Sequence, residues 1–180
     1  MLKIIAIAMM AVAAMTTTVA ADFDGLSVGV HGATVSTYMD KDYTRKGKAT
    51  LNDQSSAYGV HARFLLEQND FVAGAEVRYD KYPNTIINAG RGNEAVTDGL
   101  DISGILGYQQ GSIMPHIIFG MSILEAKKPN DGMHYGLGVS YSLTDNVMIT
   151  ARGVKYEFDG PWQGSDLDLI KGEIQLSWRF

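Results

Sequence analysis

The run HYGLGVSYSLTDNVMITARGVKYEF, residues 134–158, decides the fold. In its first half Tyr135, Leu137, Val139, Tyr141 and Leu143 are large and apolar, while His134, Gly136, Gly138, Ser140 and Ser142 between them are small or polar. Successive side chains of a strand point to opposite faces, so this period of two marks a β-strand with two chemically different surfaces. Thr144-Asp145-Asn146 interrupts the pattern with residues suited to a tight turn, and alternation resumes at Val147. The segment therefore predicts an antiparallel hairpin.

The same pattern extends in both directions and predicts eight strands, at 25–36, 57–66, 71–79, 98–108, 113–124, 133–143, 147–158 and 166–180. Connections after the second, fourth and sixth strands are short (67–70, 109–112, 144–146), and the others, 37–56, 80–97, 125–132 and 159–165, are longer. An up-and-down meander puts every second connection on one rim, so turns gather at one end and loops at the other.

Composition removes the competing classes. The chain has 180 residues, no cysteine, 20 glycines and a hydrophobic fraction of 46%. It is neither a disulfide scaffold nor a disordered segment, and it is too rich in glycine to be mainly helical. A net charge of -5 and a pI near 5.3 argue against a nucleic-acid partner, whose phosphates need a basic footprint. Mean hydropathy is -0.04, and no uncharged apolar run reaches the roughly 18 residues of a membrane helix. At the start, Lys3, an apolar run from Ile4 to Met15 and the small residues of Val19-Ala20-Ala21 predict an export leader cleaved after Ala21. The domain reading is a leader over 1–21 and a barrel over 22–180.

Alternation alone does not say which face is wet, because a soluble barrel would put its apolar set inside. Aromatic placement decides it. In the apolar register Phe64, Phe71, Tyr108, Tyr141, Trp178 and Phe180 fall beside the short turns, and Tyr38, Tyr58, Tyr79, Tyr135 and Tyr156 beside the long loops. Two such girdles are expected where aromatic rings meet the two interfaces of a bilayer. The stretch from Met133 to Leu143 rises about 33 Å along a strand, or about 25 Å along the membrane normal at a tilt near 40°. The predicted fold is an all-β, eight-stranded antiparallel up-and-down transmembrane barrel.

Its interior then receives the polar set. The expected ion network is His61, Arg63, Glu76, Arg78, Asp101, His134, Arg152, Lys155, Glu157, Lys171, Glu173 and Arg179, with glycines making room for them. Ile105 and Ile118 break the pattern as apolar inner residues. Val154, Tyr156 and Phe158 have parity opposite to Val147, Ile149 and Ala151, which predicts a β-bulge at Arg152-Gly153. Pairing Leu66 with Phe71 puts His61 opposite Glu76, with Arg63 on the diagonal. Pairing Leu143 with Val147 puts Arg152 opposite Gly138, and the bulge then puts Glu157 opposite His134.

Gly107 to Ile123, His134 to Phe158 and the closing IQLSWRF, residues 174–180, resemble the small outer-membrane barrels of Gram-negative bacteria, the OmpA and OmpX-like group with its Ail and opacity-type relatives. The resemblance covers nearly all of 25–180. It implies a monomer in outer-membrane lipid and lipopolysaccharide, with a role in envelope structure, adhesion or defence against host factors. It also implies that Trp178 and Phe180 close an assembly signal read by the barrel-insertion machinery. No peptidoglycan-binding domain is expected after Phe180.

No cofactor is expected. All four histidines, His31, His61, His116 and His134, fall on the inner face, but only His31 and His61 lie on neighbouring strands, and two ligands make a poor transition-metal site. A lipid A deacylase would need serine, histidine and acid on the lipid face, where none of these histidines points. A lipid A-modifying enzyme and a small pore are the alternatives to a structural or surface-interaction protein. Arg45, Lys46 and Lys48 in the first long loop are candidates for contact with lipopolysaccharide phosphates or a host ligand, set against an ordinary solvated loop.

Overall fold

The computed structural model describes residues 23–43, 47–88, 93–125, 130–159 and 165–180. Eight antiparallel strands close into one barrel in sequence order. They are β1 (Gly25–Tyr43), β2 (Gly47–Gln68), β3 (Phe71–Asn88), β4 (Asn93–Tyr108), β5 (Ile113–Glu125), β6 (Asn130–Ser142), β7 (Val147–Asp159) and β8 (Ser165–Arg179). Closure by β1 against β8 leaves the wall no free edge over the paired region.

The first two long connections are mostly strand. β1 and β2 stay paired as far as Tyr43 and Gly47, and β3 and β4 as far as Asn88 and Asn93. β2 and β3 separate above Tyr58 and Lys81, and β4 leaves β5 above Asp98 and Glu125. The β3–β4 hairpin therefore stands free of both its neighbours, whereas the β1–β2 extension is free only on its β2 edge, because β1 stays paired to β8 as far as Lys41 and Ser165. Their sequences carry no sustained apolar alternation because no bilayer or core sorts their faces.

At the other rim the β2–β3 turn is only Asn69-Asp70, with φ of 52° and 67°. Two successive left-handed residues make a type I′ turn, whose twist matches the flanking strands and which asparagine and aspartate tolerate. This turn corrects the expected register: Gln68 faces Phe71, Arg63 faces Glu76, and His61 faces Arg78. In the last short turn Thr144 Oγ1 accepts the backbone N–H groups of Asn146 at 3.3 Å and Val147 at 3.1 Å.

Outward positions are apolar, as expected: Val60, Ile102, Phe119, Leu137 and Ile174 are all more than half exposed. All six turn-side aromatics project outward, Phe64, Phe71, Tyr108, Trp178 and Phe180 exposed and Tyr141 half-buried between Ile113 and Ile149, as do Tyr58, Tyr79 and Tyr135 at the opposite level. Tyr38 belongs to the described backbone, but its side chain lies outside the described set. Inside, two apolar clusters sandwich the polar residues. Phe23, Leu65, Val72, Ile105, Met114 and Met148 fill the short-turn end. Val35, Tyr82, Ile118, Leu124, Tyr156, Phe158 and Leu169 belong to the cluster towards the hairpin end. The inward Ile105 and Ile118 are thus members of the two apolar layers that bound the ionic one.

Strand β7 has no bulge. Its pairing with β6 runs unbroken from Ser142↔Met148 to Gly132↔Phe158, and its pairing with β8 is equally continuous. Val154, Tyr156 and Phe158 therefore point inward and are buried, while Lys155 and Glu157 point outward. An aromatic near a rim need not belong to a girdle: Tyr156 is held inside because its hydroxyl donates to Asp101 at 2.9 Å and its ring stacks on Phe158.

Candidate functional site

The continuous period of two places eight charged side chains on the buried inner face. Arg63, Arg78, Arg152 and Lys171 balance Glu76, Asp80, Asp101 and Glu173 among the described residues. Removing such groups from water is costly unless each finds a counter-charge and fills its remaining hydrogen-bond capacity. The geometry largely does both.

Glu76 sits between two guanidinium groups. Arg63 donates from Nε at 3.0 Å and Nη2 at 2.7 Å to its Oε2, and Arg152 Nη1 donates to its Oε1 at 2.7 Å. Glu173 accepts from Arg152 Nε, Arg78 Nη1 and Gln175 Nε2, each at 2.6 Å. Gln175 closes the circuit by accepting from Arg63 at 2.6 Å. Arg78 also pairs with Asp101, contacts the Tyr156 hydroxyl, and approaches Asp80 Oδ2 at 3.1 Å. Lys171 donates to Asp80 at 2.9 Å, its ammonium 4.8 Å from the Tyr82 ring centroid and 4.6 Å from that of Tyr156. Low local dielectric strengthens every one of these bonds and would punish the loss of any partner.

The four histidines are buried, His31 and His61 side by side and His116 and His134 each in a separate setting. His31 Nε2 donates to Asp80 at 2.8 Å, and its Nδ1 lies 3.4 Å from that of His61, whose Nε2 meets Ser177 Oγ at 2.8 Å. His134 lies between Ser103 and Ser122 at 2.8 Å and 2.7 Å. His116 Nδ1 bonds the Met114 carbonyl oxygen at 3.1 Å. Among the described residues, no three side chains of His, Asp, Glu or Cys converge as a metal site would require.

Both expected histidine–glutamate pairs are overturned. His61 faces Arg78, because the turn is two residues long, and His134 faces Tyr156, because the bulge is absent. Arg152 does face Gly138, as expected. Lys155 and Glu157 leave the interior network: on the outer surface Lys155 pairs with Glu157 at 2.7 Å and Asp168 at 3.1 Å. Arg179 leaves it too. It lies at the short-turn rim, where its Nε donates to the Asp145 carbonyl at 3.0 Å. Asp80, Tyr82 and Tyr156 join unforeseen. Asp80 and Tyr82 continue the inward parity of Glu76 and Arg78, so extending the alternation past Tyr79 would have found them.

Small residues set the histidine positions. A Cβ on Gly120 would clash with the Ile102 carbonyl oxygen and stand 2.8 Å from the His134 ring. Gly120→Val is expected to destabilise the barrel by about 1–3 kcal/mol through overpacking, read as a lower urea midpoint in detergent micelles. Unchanged unfolding would contradict the close approach.

Of the assembly residues, Trp178 lies outward in β8 opposite Val28 and Val147, and Phe180 donates its N–H to the Leu26 carbonyl at 3.0 Å with its ring exposed. Arg45 and Lys46 lie outside the described residues, whereas Lys48 is the second residue of β2, paired opposite Asp42.

An apolar outer wall between two aromatic levels, closed around a charge-balanced interior, defines an eight-stranded outer-membrane barrel. The chain belongs to the outer membrane protein beta-barrel domain family, whose profile matches residues 4–180. The fold is similar to that of Neisserial surface protein A, NspA, with a TM-score of 0.54 and 13% identity over 87% of this chain and 100% of that one. It is also similar to Ail, the attachment invasion locus protein of Yersinia pestis, with a TM-score of 0.53 and 12% identity over 88% of this chain and 100% of that one. A search of curated protein sequences finds no match.

Proposed function

We propose that the protein is a monomeric, non-conducting barrel of the outer membrane that contributes to envelope structure and carries the β1–β2 and β3–β4 hairpins as a surface for contact outside the cell. The observation that carries this reading is the filled interior: among the described residues, four cations and four anions interlock between two apolar clusters. A side-chain-filled tube of eight strands has no width left for a file of water. Refolded protein in planar bilayers is expected to give no steady current, and a stable conductance on the nanosiemens scale would refute the reading.

The same barrel would be catalytically silent. Its histidines are buried in the interior, away from the lipid face where an acyl ester lies. Incubation with labelled lipopolysaccharide is expected to release or transfer no acyl chain. The remaining assignments follow from the sequence: residues 1–21 as an export leader, Trp178 and Phe180 as the signal read by the insertion machinery, and the basic run at Arg45, Lys46 and Lys48 as a contact for lipopolysaccharide or a host polyanion.

A further inference from the structure

Phe23 precedes β1 and belongs to no strand, yet it is 1% exposed. Its companions Leu65, Val72, Ile105, Met114 and Met148 come from β2, β3, β4, β5 and β7. A side chain can join inward residues of five different strands only from the middle of the barrel mouth. Gly25 makes this possible: its φ of 104° is a conformation that other residues reach only with strain, and it turns the chain from β1 back over the opening. The turned segment is tied down to the neighbouring strand β2. Phe23 N donates to Glu67 Oε2 at 3.2 Å, and Glu67 N donates to Asp24 Oδ1 at 3.3 Å.

We propose that residues 23–25 form a strap, hinged at Gly25, whose Phe23 ring is the stopper of the short-turn mouth and keeps water out of the ionic interior. The interior it shuts off includes two buried nitrogens without a hydrogen-bond partner, Arg63 Nη1 and His116 Nε2. Such groups would draw water in if the mouth were open, and water would weaken the neighbouring ion pairs by raising the local dielectric. The mouth is closed by a hinged segment rather than by the wall, so it is the part of the seal able to open without breaking a strand ladder. The far end has its own apolar cluster, so opening the strap lets water reach the packed interior from one side only and makes no channel. Conductance and stopper are thus separate questions, and failure of one leaves the other standing.

The absence of cysteine makes the test direct. Met148→Cys places a single thiol in the buried cluster that Phe23 completes, where burial holds it unreactive. Full-length folded protein in detergent is treated with a small charged methanethiosulfonate. Modification is expected to be at least about tenfold faster with Phe23→Ala added, because the rate follows opening of the mouth. Gly25→Ala should accelerate it as well, by disfavouring the turn. Retained heat-dependent gel mobility shows that each variant is folded. Should the double variant not fold, peroxide oxidation of the native Met114 and Met148, followed by mass spectrometry, makes the same comparison with Phe23→Ala or Gly25→Ala alone. Equal rates with and without Phe23, whether both fast or both slow, overturn the proposal.

Discussion

Replacing Glu76 with leucine is expected to destabilise the barrel by about 3–5 kcal/mol, the cost of stranding buried charge after one partner is removed. Glu76 accepts from both Arg63 and Arg152. Without it Arg152 keeps Glu173, but Arg63 keeps only the neutral Gln175 among its hydrogen-bond partners. The interior would then hold one cation too many. Adding Arg63→Met restores the balance, so the double variant should be more stable than Glu76→Leu alone. Glu157→Leu, chosen from the same sequence pattern, should change little, because Glu157 is exposed and Lys155 retains Asp168. Urea unfolding of the four proteins in the same micelles gives the order. A Glu157 variant as damaging as the Glu76 variant would return Glu157 to the interior and restore the bulge.

Leu137→Arg should be nearly as costly for a different reason. Leu137 is 68% exposed, midway along the outward row from Met133 to Tyr141. On a protein bathed in water, a charge at so exposed a site is almost neutral. At the midplane of a bilayer it costs about 2–4 kcal/mol, because the guanidinium loses its hydration to hydrocarbon. The measurement must use lipid vesicles, with Lys81→Arg at the charged level above Tyr79 as the control that should be neutral. An equal and negligible effect at both sites would mean that the apolar wall does not face lipid.

Lys155, Glu157 and Tyr156 show where alternation stops being informative. Large apolar side chains identify the outward face only while the inward face is polar, and near the hairpin rim that condition fails. There the interior needs apolar cover above its ions, and Tyr156 and Phe158 supply it alongside Tyr82 and Leu169. The pattern of a single strand does not distinguish a ring facing headgroups from a ring capping a buried ion pair. The fact that Tyr156 reaches Asp101 and Arg78, contributed by two other strands, separates the two. Phe23 is a related case: it has no parity to read, because Gly25 breaks the strand geometry before it.

The sequence by itself determined the number of strands, their order, the rim carrying the tight turns and, through most of the wall, the face each residue occupies. It placed Arg63, Glu76, Arg78, Asp101, Arg152, Lys171 and Glu173 inside without stating who meets whom. Partners were decided only by tertiary structure: a two-residue turn at Asn69-Asp70 moved Glu76 from His61 to Arg63, and an unbroken β7 moved His134 from Glu157 to Tyr156. The physical reason is the period of the strand. The β2–β3 change is a slip of two residues, which leaves every side chain on its own face and so escapes the alternation that sorts faces. The β7 change is a shift of one, which exchanges Tyr156 and Glu157 between faces at a rim where the interior is apolar as well.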